Sequence, residues 1–75
     1  MRQFIIVSHL GERMKAQGVR PATMARAIGS CPSRVANWAK TGALPPLEKA
    51  LLIADALLVN NLRELWTTIY HDVED

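Results

Sequence analysis

Arg34 and Asn37 stand one helical turn apart in the stretch PSRVANWAK, residues 32–40. At that spacing two side chains share a helix face. A guanidinium is a rigid fork of donors that matches the O6 and N7 acceptors of guanine. A carboxamide joins a donor to an acceptor and matches N6 and N7 of adenine. Each such bidentate contact gives roughly 1–3 kcal/mol of discrimination between bases. Ser33, in the first turn, can reach a base edge or a phosphate. Pro32 and Ala36 offer apolar surface to a thymine methyl. Lys40 and Thr41 fall past this row, where a duplex presents its backbone.

The elements that must position these groups can be read from the flanking residues. Val35 and Trp38 are i and i+3 on the opposite side of the same stretch, so they anchor its inward face. Trp38 is therefore expected in the core rather than as a stacking platform. Ahead of it, Pro21 suits the first position of a helix, where its missing N–H is tolerated. Met24, Ala25 and Ile28 make one apolar face, and the small Ala25 lets two helices cross closely. Gly29 follows, where a chain leaving a helix needs positive φ. Ser30 and Cys31 complete a short turn. Residues 21–40 thus have the spacing of a helix-turn-helix, the second helix free to enter a major groove. Arg20, Thr23 and Arg26 lie on or before the first of the two helices, which crosses the backbone in this geometry; Thr23 is the leading phosphate donor there.

The bulk composition sets bounds. Seventy-five residues suit one small domain, 1–75, whose folding buries only about 60% of the unfolded surface. Dimerisation is one way to supplement so small a core. A hydrophobic fraction of 49% argues against disorder. The single cysteine, Cys31, allows no internal disulfide and, with two separated histidines, no zinc cluster. His9 and His71 are expected at the surface, and Met14 and Met24 in the core. The apolar run Phe4–Val7 is too short for a signal peptide, and no stretch approaches a membrane span. A soluble, cytoplasmic protein with no cofactor is expected.

Charge is unevenly placed. Residues 1–49 carry eight Arg and Lys against two acids, a net of +6; residues 50–75 carry one Arg against five acids, a net of −4. The half containing residues 21–40 would be drawn to phosphate, and the remainder repelled by it.

Punctuation along the chain suggests four to five short helices. The first ends near Gln17-Gly18, with Leu10 and Met14 as its apolar pair; the β-branched residues 4–7 fit an extended arm, a strand or its first turn, of which the helical turn is the expectation. Gly42 ends the third helix. Pro46 opens a fourth, with Leu47, Ala50, Leu51, Ala54, Leu57 and Leu58 as a wide apolar face. Asn61 and Glu64 have capping-box spacing, and Leu62, Leu65, Trp66 and Ile69 follow at helical intervals. A fifth helix over 61–70 is therefore expected, with an acidic tail over 71–75. The reading is an all-α compact bundle. Leu62, Leu65, Trp66, Ile69 and Tyr70 could pack on the chain's own core or form a dimer interface; the interface is the expectation, since aromatic side chains are enriched at interfaces.

These residues resemble the Cro/CI-type, or XRE-like, helix-turn-helix family of phage and bacterial repressors. The likeness spans roughly residues 8 to 66. It rests on Met24-Ala25, Gly29, Val35 and Trp38, then Lys40, Gly42 and Pro45, and on Ile53-Ala54-Asp55-Ala56-Leu57 with a turn at Val59-Asn60-Asn61. The resemblance implies a lambda-repressor-like domain that binds a pseudo-palindromic double-stranded DNA operator as a homodimer, with half-sites about 34 Å apart. The family often places Gln at the positions held here by Pro21 and Pro32. Polar readout then falls to Ser33, Arg34 and Asn37.

The small size suits a Cro-like repressor. An antitoxin or restriction-modification controller of the same fold would share the DNA chemistry and differ in partner. A helical protein-interaction module that does not bind DNA is a reading from another class. An enzyme is not expected, because the sequence offers no paired-carboxylate site, no Ser-His-Asp set and no Gly-rich phosphate loop.

Overall fold

A computed structural model describes residues 2–72. In chain order these form β1 (Arg2–Ser8), α1 (Leu10–Ala16), α2 (Pro21–Ile28), α3 (Pro32–Lys40), α4 (Leu47–Ala56), a 3-10 turn (Leu62–Glu64) and β2 (Trp66–Asp72). The four helices fall where the sequence places them, except that α1 begins at Leu10 and residues 4–7, expected at its start, belong to β1. The two strands overturn the all-α reading: β1 and β2 pair antiparallel in a two-stranded sheet, in unbroken register from Arg2↔Asp72 to Ser8↔Trp66.

The reason lies in side-chain shape. Phe4-Ile5-Ile6-Val7 and Thr67-Thr68-Ile69-Tyr70 are runs of β-branched and aromatic residues, which pack well on a pleated surface and lose rotamer freedom in a helix. Each supplies the partner the other needs. Helical spacing among Leu62, Leu65, Trp66 and Ile69 is overridden by this pairing, so the expected fifth helix is a 3-10 turn followed by a strand. Asn61 does cap, accepting from the Arg63 N–H at 2.9 Å. Glu64 does not close a capping box; its carboxylate meets Arg13 at 3.4 Å across the surface. Of the expected acidic tail, residues 73–75 lie outside the described residues.

The core joins helices and sheet. Leu10, Met14, Met24, Ile28, Val35, Trp38, Ile53, Leu57, Leu65 and Trp66 are all buried in one cluster. Met14 and Met24 thus fill the core as expected. Trp66 Nε1 is buried with no hydrogen-bond partner among the described residues. The apolar face expected of α4 is only partly inward. Ala50, Ile53, Ala54 and Leu57 are buried, whereas Leu47 and Leu51 are 67% and 50% exposed. Leu58, placed on that face by periodicity, lies past the helix end with φ 58° and is 88% exposed.

Ser8 ties the strand to the helices. Its hydroxyl donates to the Trp38 carbonyl at 2.8 Å and accepts from the Leu10 N–H at 3.3 Å. One step on, the His9 N–H donates to the Leu65 carbonyl at 2.7 Å, and its Nε2 hydrogen-bonds Thr67 Oγ1 at 2.9 Å. His9 is thus half-buried at the junction rather than a free surface group.

Candidate nucleic-acid interface

Two buried faces set the crossing of α2 and α3. Met24, Ala25 and Ile28 of α2 meet Val35 and Trp38 of α3 in the core. Between them the chain turns within three residues. Gly29 adopts φ 71°, ψ 39°, a left-handed conformation that glycine takes without a Cβ penalty. The Ser30 N–H then returns to the Ala25 carbonyl at 2.8 Å. From α4, Lys49 Nζ donates to the Ile28 carbonyl at 2.8 Å. Sequence reading misses Lys49, because hydrophobic periodicity carries no signal for where a surface cation points.

With Val35 and Trp38 inward, α3 presents Pro32, Ser33, Arg34 and Asn37 to solvent, with Ala36 half-buried beside them. Lys40 is exposed in the last turn. Arg20, Thr23 and Arg26 are exposed on and before α2. Arg26 lines a shallow cleft of about 290 Å³ with Ala22, Ala25, Ser30 and Pro32, between α2 and the start of α3. The structure therefore brings the expected base-reading residues onto one open surface, flanked by basic residues. Thr41 is otherwise engaged. Its hydroxyl donates to the Asn37 carbonyl at 2.9 Å and accepts from the Ala43 N–H at 3.1 Å. Its single O–H closes α3 and is not offered to a phosphate.

The ends of α2 and α3 add to the local field. Neither Arg20 nor Cys31, their N-cap residues, makes a side-chain cap hydrogen bond, and neither helix has an acid in its first turn. The positive ends of both dipoles thus meet no acid of their own first turn and favour an outside anion. Cys31 is exposed, with Sγ 3.4 Å from Ser33 Oγ. The Ser33 hydroxyl, then the Arg34 backbone N–H, hold its thiol below the ordinary range; desolvation opposes this, and the Arg34 charge adds to the lowering.

The residues expected at a dimer interface divide. Leu65 and Trp66 are buried in the chain's own core, and Leu62 is half-buried against it. Only Ile69 and Tyr70 are open, at 52% and 54% exposure. Among the described residues no helix is long and apolar enough to cross a membrane. No family model matches the chain, and neither a curated protein nor a solved structure does.

Proposed function

We propose that the chain is a sequence-specific double-stranded DNA-binding transcriptional regulator of the Cro-like kind. In this reading α3 lies in the major groove, and two copies read a pseudo-palindromic site. The observation that carries it is the open face of α3, where Ser33, Arg34 and Asn37 project beside one another while Val35 and Trp38 lock the helix to the core. Arg34 reads guanine and Asn37 adenine, with Pro32 and Ala36 against thymine methyls. Arg20, Thr23, Arg26 and Lys40, with the uncapped start of α2, engage the backbone. The working place is the cytoplasm of a bacterial or phage-infected cell.

The test is selection from a random duplex pool, with binding titrated at two salt concentrations. The reading expects one enriched pseudo-palindrome and an affinity that falls steeply with salt as counterions are released. Failure to enrich any sequence, with no salt-sensitive binding, removes it.

A second reading of the same fold, an antitoxin or controller with a protein partner, is favoured by the exposed Leu47 and Leu51 on α4. Co-purification of a toxin separates the two.

A further inference from the structure

We propose that a cavity between α1, the loop that follows it and the start of α2 binds a small apolar carboxylate, and that the bound acid opposes DNA binding by engaging Arg20. The second half rests on the reading of the chain as a DNA-binding protein; the first half does not.

The cavity holds about 490 Å³. Small-molecule sites run roughly 300–1,000 Å³ and are mostly apolar, with a few placed polar groups. Here Met14, Val19, Pro21 and Ala39 make the apolar lining. Met14 is buried, so the floor of the cavity is the core itself. The depth comes from small residues where two helices meet. Gly11 of α1 faces Ala39 of α3 so closely that a Cβ added to Gly11 would stand 3.2 Å from the Ala39 carbonyl oxygen. On the solvent side Gly18 takes φ 68°, and a Cβ there would meet nothing within 4 Å, so the entrance is open.

The walls are fixed by the chain's own hydrogen bonds. The Gly18 N–H donates to the Lys15 carbonyl at 3.1 Å, and the Val19 N–H to the Met14 carbonyl at 2.8 Å. The Gln17 side chain ties this loop to the end of α4, donating to the Leu57 carbonyl at 2.9 Å. A preformed site loses less affinity to ordering.

Charge selects the occupant. The charged residues of the lining are Lys15 and Arg20, both exposed, and no acid stands among them. Among the described residues neither cation is paired with an acid. Arg20 also precedes the first turn of α2, which has no acid, so the helix dipole adds positive potential at the same place. An apolar body in the cavity with a carboxylate at its rim answers both features. A neutral apolar molecule leaves the cations unused, and a bare inorganic anion leaves the apolar lining in water. A guanidinium turned to this carboxylate is withdrawn from a duplex phosphate, and by linkage each ligand then weakens the other by the same factor.

The test titrates the whole chain with naphthylacetate, and in parallel with its neutral amide, while backbone amide chemical shifts are followed. Saturable shifts at Gly11, Met14, Gly18, Val19 and Ala39 are expected with the acid, and the neutral amide is expected to bind at least about threefold more weakly. Lys15→Gln combined with Arg20→Gln, both at exposed positions, is expected to bring the acid down to the level of the neutral amide with helical circular dichroism unchanged. The duplex that the chain selects is then titrated with and without saturating acid, and its affinity is expected to fall at least about fivefold. Equal binding of acid and neutral amide, shifts confined to other surfaces, or no saturation in the millimolar range overturns the site. Unchanged duplex affinity with the acid bound overturns the opposition. A chain that takes the acid in the cavity but selects no duplex keeps the site and removes the DNA-binding reading, so the two failures are distinguishable.

Discussion

Lys49 Nζ donates to the carbonyl oxygen of Ile28 at 2.8 Å and lies 3.4 Å from that of Gly29. A side chain of α4 thus closes the C-terminus of α2, where the dipole favours a cation and the last carbonyls lack helical partners. It also fixes the point from which the chain swings into α3. Lys49→Met keeps the apolar stem and removes the donor. We expect a loss of about 1 kcal/mol, seen in thermal unfolding, with the lost rigidity appearing first as faster amide exchange at Ser30. Unchanged stability and exchange would show that the turn is held by the α2–α3 packing alone.

Gly42 sits where the loop after α3 meets β1. The nearest atom to an added Cβ is the backbone oxygen of Ile6, which no side-chain rotation can move aside. Gly42→Ala is expected to destabilise by about 1–3 kcal/mol, as overpacking of a fixed neighbour does. Its signature in amide exchange is a loosened β1 with α2 and α3 intact.

Leu58 runs the other way. It holds φ 58° after α4, where the Val59 N–H returns to the Ala54 carbonyl at 2.9 Å, and its side chain is almost wholly in solvent. A leucine in this conformation is strained by roughly 1 kcal/mol or more and loses little contact when removed. Leu58→Gly is expected to raise stability by about 0.5–1 kcal/mol, a few degrees of Tm in a domain this small. A lower Tm would mean that Leu58 has a packing role the exposure does not reveal.

Cys31 gives a pH-dependent readout of the start of α3. The Ser33 hydroxyl and Arg34 N–H favour the thiolate, so it forms at lower pH than in an unfolded chain. Its alkylation rate should therefore climb at lower pH in the folded protein than after denaturation. Ser33→Ala removes the largest contribution and should move the profile upward. If the folded, denatured and Ser33→Ala profiles coincide, the thiol does not sense the helix start.

The helices are legible in the sequence because their signals are local. Pro21, Gly29, Pro32 and Gly42 mark boundaries within a few residues of where they act, and the i, i+3 pair Val35 and Trp38 identifies the buried side of α3 without knowledge of anything distant. From that, the open face with Arg34 and Asn37 follows. The strands are not legible for the opposite reason. Ile5 pairs with Ile69 across almost the whole chain, and neither run names its partner. Leu62, Leu65 and Trp66 also happen to match helical spacing. Leu47 and Leu51 mislead in a third way: apolarity marks residues that could be buried, while the fold buries Ile53 and Ala54 and leaves the flank open. Thr41 reads as a backbone contact because its type permits one; only the structure gives its proton to Asn37.

The most direct test of the account is the affinity of Arg34→Ala and Asn37→Ala for the duplex that the wild-type chain selects. Both side chains are exposed, so neither variant should change Tm or helicity. Each is expected to lose about 1–3 kcal/mol on the selected site and to relax preference at one base position, while binding to random duplex falls less. Binding by both variants equal to wild type, in affinity and in preference, would contradict α3 as the reading helix.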